Sequence, residues 1–319
     1  MPFPGPVSLP AYQPHYPATT PTQLVPRTVQ PVAPRTPVPA PKAGLTIRPA
    51  IDRHFLHLQQ LLHIFPEDRK WLVAPMQLLN SKLSAGAGIH IFVDASNILI
   101  GFRDKLKYAR TQLFDLSFDS LALLLERRRP VARRVLAGSS RKTSPLPFVD
   151  AFITKAEEVG YENNVYEQVY KEKELTDRQR FFRDVDRIGY KAAVARRSGG
   201  ESSDSETGAA AVTPAAPSPM KWVEQGVDEN LHLKMCQSIL DADEPATMVL
   251  ATGDGAAAEY SDGFLAHVER ALKRGWTVEL VSWKQQINGG YTKKKWQAKW
   301  GAKFKVIFLD DFVESLIET

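Results

Sequence analysis

The sequence is poor in cysteine and lacks long apolar runs. Cys236 is its one cysteine in 319 residues, which excludes a disulfide within the chain and suits a reducing compartment. No apolar stretch approaches the roughly 20 residues that span a bilayer. Residues 1–6 also lack the basic start and apolar run of a secretory signal. We therefore expect an intracellular protein with no membrane partner, and the sequence does not separate cytoplasm from nucleus.

Large apolar side chains are scarce near the amino terminus. Residues 1–50 contain fourteen of the 23 prolines, and such a segment buries too little apolar surface to offset its ordering entropy. We predict a disordered, proline-rich tail there, whose polyproline-II bias suits protein partners with small recognition domains. Residues 198–220, rich in serine, glycine, alanine and proline, are predicted to be a disordered insertion. A helical extension over 51–85 and one domain over 86–319 remain.

Apolar periodicity gives the expected fold class. Apolar side chains recur every three or four residues from Ile51 to Phe65, which predicts a helix ended by Pro66, with a second short helix over 68–83. After residue 86, short apolar runs alternate with helical patterns, which predicts an α/β sandwich with a mainly parallel sheet. The predicted strands are Ile89–Val93, Val131–Ala137, Thr247–Thr252, Thr277–Trp283 and Lys305–Leu309, and the predicted helices include Phe148–Val159 and Asp228–Leu240.

Three aspartates lie where predicted strands end or helices begin. Asp94 follows the first strand, Asp228 opens a helix, and Asp254 stands in a Gly-Asp-Gly turn after the Thr247–Thr252 strand. Each alone could simply cap a helix or shape a turn. Ligands of parallel α/β sheets, however, bind outside the carboxyl ends of the strands. Three carboxylates gathered there would repel one another unless a cation lay between them, which predicts a site for Mg²⁺ or Mn²⁺.

The same residues resemble a known family. Asp94-Ala95-Ser96-Asn97, then Gly226-Val227-Asp228, then Thr252-Gly253-Asp254, in this order, are similar to the motifs of the NYN family of PIN-like nucleases (limkain/LabA-like). The resemblance covers about residues 88–319 without the insertion. It implies a Rossmann-like three-layer α/β/α domain and a metal-dependent ribonuclease site. Asp94, Asp228 and Asp254 would then bind the metal, and Asn97 would orient the first aspartate or the substrate.

One position departs from the family pattern. The third motif usually has a second aspartate two residues after the first, and this chain has Ala256 there. Glu259 or Asp262 is a candidate replacement as a metal-binding acid, although Asp262 could equally cap the helix that follows. The alternative function is a PIN-like module that binds RNA or protein without catalysis.

Basic residues supply candidate contacts to RNA, which we expect to be single-stranded. The net charge of +5 fits a polyanionic partner but is a weak indication. Arg133 and Arg134 lie in a predicted strand, and Lys284 follows another. Lys293, Lys294 and Lys295 form a run beside Trp296 and Trp300. Lysine and arginine bind phosphate, whereas the two tryptophans, four residues apart, are interpreted as the buried face of a helix. The oligomeric state is not predicted.

Two single positions and one missing motif argue against three other α/β classes. A metal-dependent adhesion module needs a ligating side chain where this chain has Ile98, and a haloacid-dehalogenase phosphatase needs an aspartate where it has Ser96. A nucleotide-cofactor fold would have a Gly-x-Gly-x-x-Gly turn after the first strand, and none follows Val93.

Overall fold

A computed structural model describes residues 47–75, 88–172, 185, 189–190, 220–257 and 260–318. All of them belong to one unit, Ala43–Thr319. The predicted tail (up to residue 46), most of the predicted insertion, and Glu259 lie outside the described residues.

Six parallel strands form the central sheet in the order β3-β2-β1-β6-β7-β8. A separate antiparallel ribbon pairs β4 with β5. The strands are β1 Ile89–Asp94, β2 Val131–Ser140, β3 Glu162–Glu167, β4 Val169–Glu172, β5 Met220–Val223, β6 Thr247–Ala251, β7 Thr277–Ser282 and β8 Phe304–Phe308.

Helices cover both faces of the sheet. They are α1 Ala50–Ile64, α2 Arg69–Leu72, α3 Ala95–Tyr108, α4 Phe118–Glu126, α5 Pro147–Val159, α6 Val227–Asp241, α7 Gly263–Lys273, α8 Gly289–Thr292 and α9 Lys294–Trp300. Short 3₁₀ turns lie at Pro66–Asp68, Gly301–Lys303 and Leu309–Phe312.

Alternation along each strand divides the core into two layers. Ile91 and Val93 of β1 pack with α1, α3, α4 and α5, whereas Phe92 faces the opposite way and packs with α6 and α7. Side chains of successive strand residues point to opposite faces, so a parallel strand with apolar residues at every position must be covered on both sides. The predicted α/β class is therefore confirmed as a three-layer, Rossmann-like α/β/α sandwich.

Helix α1 belongs to the same core as the sheet. Leu61 and Phe65 are fully buried in the layer that contains Ile91. Arg127, also fully buried, donates from Nε to Asp68 at 2.6 Å and from Nη2 to Glu279. The segment that the sequence predicts as a helical extension is thus fixed to the sheet by both apolar packing and buried ion pairs.

Several elements differ from the sequence prediction. The second helix, predicted over 68–83, is only the single turn α2 in its described part, and residues 76–87 lie outside that part. Edge strand β3 and the β4–β5 ribbon were not predicted, since their exposed or half-buried residues have no clear apolar alternation. Trp296 and Trp300 are half-buried on α9 and pack against the second core layer, as predicted.

Candidate metal and RNA site

The sheet order creates a crevice between β1 and β6. From β1 the chain continues to β2 and β3 on one side of the sheet, and it later returns to place β6, β7 and β8 on the other. Helices that follow neighbouring strands then lie on opposite faces, and the loops leave a crevice at the carboxyl ends, where ligands of such sheets bind. Asp94 ends β1 and Thr252 follows β6, so both residues lie at this crevice.

Asp94 is a buried carboxylate bound by two neighbours. It is the amino-terminal cap of α3, accepting a hydrogen bond at Oδ1 from the Asn97 backbone N–H at 3.0 Å. Its Oδ2 accepts from the Thr252 hydroxyl at 2.9 Å. Burial raises the pKa of Asp94 to about 7, with repulsion from Asp228 and Glu224 adding to the rise and the two hydrogen bonds opposing it. Asp94 is therefore both a helix cap and a carboxylate with a strongly disfavoured charge.

Asn97 connects the loops after β1 and β6. Its side-chain Oδ1 accepts a hydrogen bond from the backbone N–H of Gly253 at 2.8 Å. A Cβ at Gly253 would lie 2.6 Å from the carbonyl oxygen of Gln286, so this position requires glycine. This hydrogen bond joins the first turn of α3 to the loop after β6.

Asp254 is held by its own loop. Its Oδ1 accepts from the backbone N–H groups of Gly255 at 2.6 Å and Ala256 at 2.8 Å, and the Tyr291 hydroxyl donates to its carbonyl oxygen at 3.1 Å. Within the described part of the chain, Oδ2 of Asp254 accepts no hydrogen bond. One carboxylate oxygen is thus fixed and the other is available to a ligand.

Asp228 lies in the first turn of α6, behind Gly226. Gly226, whose backbone is left-handed (φ +79°), is the amino-terminal cap of α6, and Asp228 lies inside the helix as its second residue. Burial, together with repulsion from Asp254, Glu229 and Glu224, raises the pKa of Asp228 to about 6. Its carboxylate has no hydrogen-bond or ion-pair partner among the described residues. Asp228 is therefore an acid whose charge nothing described compensates.

Glu224 is a fourth acid that the sequence analysis missed. It directly follows β5 and accepts hydrogen bonds from the hydroxyls of Ser96 and Ser139. Its charge contributes to the raised pKa values of both Asp94 and Asp228. No local apolar pattern marks Glu224, because β5 is a four-residue strand in a two-stranded ribbon.

Asp262 does not join these acids. Arg270 donates to both of its carboxylate oxygens, one at 2.9 Å. These hydrogen bonds lower the pKa of this exposed aspartate to about 2. Asp262 precedes α7 without forming a side-chain cap. Asp262 is a predicted replacement for the missing second aspartate, but its carboxylate is paired with Arg270. The other predicted replacement, Glu259, lies outside the described residues.

The predicted RNA-binding residues fall into three groups. Arg133 and Arg134 lie in the amino-terminal half of β2, about 20 Å along the strand from Ser139. They are engaged by Gln237 and Glu126 respectively, so the structure does not bring them to the crevice. Lys284 follows β7 and donates to Asp311 at 3.0 Å.

The third group is the lysine run on and before α9. Lys293, Lys294 and Lys295 are exposed, and none of them has an anionic partner within the described chain. Among the predicted basic residues, these three are therefore the ones whose charges are available to a ligand.

The donor chemistry of the crevice fits a hard divalent cation. Asp94, Asp228, Asp254 and Glu224 supply carboxylate oxygens, which Mg²⁺ and Mn²⁺ prefer. Among the described residues, no three His, Cys, Asp or Glu side chains form a ready-made metal cluster. An open arrangement of this kind suits Mg²⁺, which usually keeps several waters and takes one or two carboxylates together with substrate phosphate.

Two further observations bear on the identity of the protein. None of the described helices combines the length and apolar character needed to cross a membrane. Comparison of the chain with protein-family models, curated proteins and solved structures gave no match, so the resemblance to the NYN family stays a prediction from the residues themselves.

Proposed function

We propose that this protein is a metal-dependent endoribonuclease that hydrolyses phosphodiester bonds of single-stranded RNA. The observation that carries the proposal is a set of four carboxylates in which Asp94 is repelled by Asp228 and Glu224, and Asp228 by Asp254 and Glu224. These repulsions contribute to the raised pKa values of Asp94 and Asp228. Holding several acids together against their own repulsion lowers stability and persists where function requires it. A divalent cation would remove that repulsion.

The residues have distinct proposed roles. Asp94, Asp228 and Asp254 would hold Mg²⁺ or Mn²⁺, with Glu224 adding negative charge from behind Ser96 and Ser139. When bound, the cation would lower the pKa of the attacking water and neutralise charge on the phosphate. Asn97 would fix the relative position of the loops that carry Asp94 and Asp254, through the hydrogen bond that its side chain accepts from Gly253.

The RNA backbone would be bound by lysine side chains that have no anionic partner among the described residues. Lys293, Lys294 and Lys295 are exposed and have charges available for phosphate. Such contacts release counterions, so binding is expected to weaken steeply with salt. Arg133 and Arg134 have no part in this proposal, because acceptors on α4 and α6 engage them.

A second candidate function is an RNA- or protein-binding module without catalysis. The observations that favour it are Ala256 at the position of the family's second aspartate and the engagement of Asp262 by Arg270. In that case the crevice would still gather acids but lack a complete catalytic set.

Metal-dependent cleavage by the full-length chain separates the two candidates. Labelled single-stranded RNA is incubated with Mg²⁺, with Mn²⁺ or with chelator, using the wild type and the double variant Asp94→Asn/Asp254→Asn. Asp243→Asn is the matched control. Asp243 is exposed and lies between α6 and β6, at the amino-terminal end of the strands, whereas the crevice lies at their carboxyl ends. We expect cleavage that requires metal, is lost in the double variant and persists in the control.

The other outcomes are equally informative. RNA binding without cleavage would support the non-catalytic module. Absence of both binding and cleavage would refute a role in RNA metabolism and leave only the fold.

A further inference from the structure

A cleft opens directly beside the acids, between α3, the end of β2 and the start of α5. Its cavity volume is about 160 Å³. Ser96 and Ser139 both line it, and the same two hydroxyls donate to Glu224. Ser96 and Ser139 thus form a wall between the cleft and Glu224.

Two arginines face this cleft without a complete set of acceptors. The guanidinium carbon of Arg103 lies 3.5 Å from the centre of the Phe148 ring. No carboxylate among the described residues pairs with it. Arg141 donates from Nε to Gln168 at 2.7 Å and lies 5.5 Å from the Trp222 ring. A guanidinium group packed over an aromatic ring offers the kind of surface on which unpaired bases stack.

The remaining lining favours a base over a second phosphate. Leu99, Ile100, Leu146 and Val149 give the cleft apolar walls. The carboxylate of Asp150 also lines it and would repel phosphate, although it can accept hydrogen bonds from base amino groups. An apolar cleft with a few polar groups is typical of sites that enclose a flat ligand.

We propose that this cleft binds one unpaired nucleobase next to the scissile phosphate. The base stacks on the Arg103–Phe148 surface between the apolar walls, and the Nη groups of Arg141 contact the adjoining phosphate. This assignment rests on the proposed function, because the occupant is a nucleotide of the RNA substrate. It makes the enzyme selective for unpaired positions, since a base inside a duplex cannot enter the cleft.

An abasic scan tests the cleft separately from catalysis. A short single-stranded RNA is prepared as a series in which one abasic residue occupies each position in turn. Its affinity for the full-length chain is measured in Mg²⁺ on the Asp94→Asn/Asp254→Asn background, so that no cleavage interferes. We expect one position at which loss of the base weakens binding on the order of ten- to a hundredfold.

Two cleft variants should remove that dependence. Arg103→Glu reverses the stacked charge, and Ile100→Glu places a carboxylate in the wall at a side chain that is 56% exposed, so that folding is preserved. Arg274→Glu, at an exposed arginine after α7, is the matched control. On the same Asp94→Asn/Asp254→Asn background, both cleft variants should bind intact RNA as weakly as the background protein binds the sensitive abasic RNA, whereas the control should not.

A flat abasic scan would overturn the cleft assignment. If RNA is still cleaved by the wild type, the proposed function stands and the cleft serves another ligand, such as a peptide side chain. If the wild type neither cleaves nor binds RNA, the proposed function fails first and the cleft assignment fails with it.

Discussion

At the scale of single residues, the charge of Asp94 is the most informative feature. Its pKa is about 7 in the folded chain because of burial and neighbouring acids, against an ordinary value of 3.8. Between these values the folded state retains a proton that the unfolded state has lost. Ionisation of Asp94 therefore destabilises the metal-free fold as pH rises through this window, with the full cost above about pH 7 and none below about pH 4.

Replacement of Asp94 by asparagine should remove this cost. With chelator present at about pH 8, we expect Asp94→Asn to raise the free energy of unfolding by roughly 1–3 kcal/mol. At about pH 4 the variant and the wild type should be equal. Urea unfolding followed by circular dichroism measures the difference, with Asp243→Asn as the control. A wild type that is the more stable protein at about pH 8 would contradict the burial and repulsion inferred for Asp94.

Glu224 gives a second prediction at the same scale. Its glutamine variant keeps the acceptor oxygen for Ser96 and Ser139 but removes the charge that raises the pKa of Asp94 and Asp228. We expect Mn²⁺ affinity to fall about ten- to a hundredfold, the usual effect of losing a supporting group near a metal. Titration calorimetry checks this, with Glu244→Gln as an exposed control. Unchanged affinity would show that Glu224 only orders the β5 end of the site.

The sequence predicted part of this residue set. Asp94, Asp228 and Asp254 could be found because each is next to a strong local pattern, an apolar strand or a helix start. Glu224 could not, since β5 is a four-residue strand in a ribbon, with no apolar periodicity of its own. The pairing of Asp262 with Arg270, eight positions apart, depends on how α7 begins, which no local pattern specifies.

At the scale of elements, Arg127 joins α4 to the amino-terminal segment and to β7. It is fully buried, donates to Asp68 and Glu279, and lies 4.1 Å from the Phe65 ring centre. Arg127→Met would leave Asp68 without its closest cation. We expect a loss of about 3–5 kcal/mol, the usual cost of breaking a buried ion pair.

Denaturant unfolding measures this loss and can assign its cause. Arg274→Met is the control for removing an arginine at the surface. Adding Asp68→Asn to Arg127→Met should recover part of the loss, because it removes the uncompensated charge. A double variant no more stable than Arg127→Met would mean that lost packing against Phe65, rather than the uncompensated charge of Asp68, is the main contribution.

Element prediction succeeded where burial was strong. Strands β1, β6 and β7 lie in the middle of the sheet, and β8, although it is an edge strand, has apolar side chains at four of its five positions. The apolar runs of these four strands predict them to within a residue or two. Edge strand β3 has a mostly exposed or half-buried sequence, and its pairing with β2 supplies the order that its side chains do not. An apolar pattern in the sequence indicates burial, and a strand such as β3, which is paired at the edge of the sheet but little buried, has no such pattern.

At the scale of the whole molecule, the amino-terminal helix cannot be treated as an appendage. Leu61 and Phe65 fill the same core layer as the first strand. A fragment that begins at residue 86 would expose this layer and lose the partner of Arg127. The nuclease and binding experiments therefore use the full-length chain.

The sheet order has a consequence for synthesis of the protein. Asp94 and Thr252 meet in the centre of the sheet although 158 positions separate them in the chain. Contacts that close such long loops form late, after more local pairings such as those of β2 with β1 and β3. A growing chain exposes Asp94 on the ribosome well before Asp228 and Asp254 have been made. For a protein proposed to cut RNA, this order delays assembly of the acids until the ribosome has made the chain beyond residue 254.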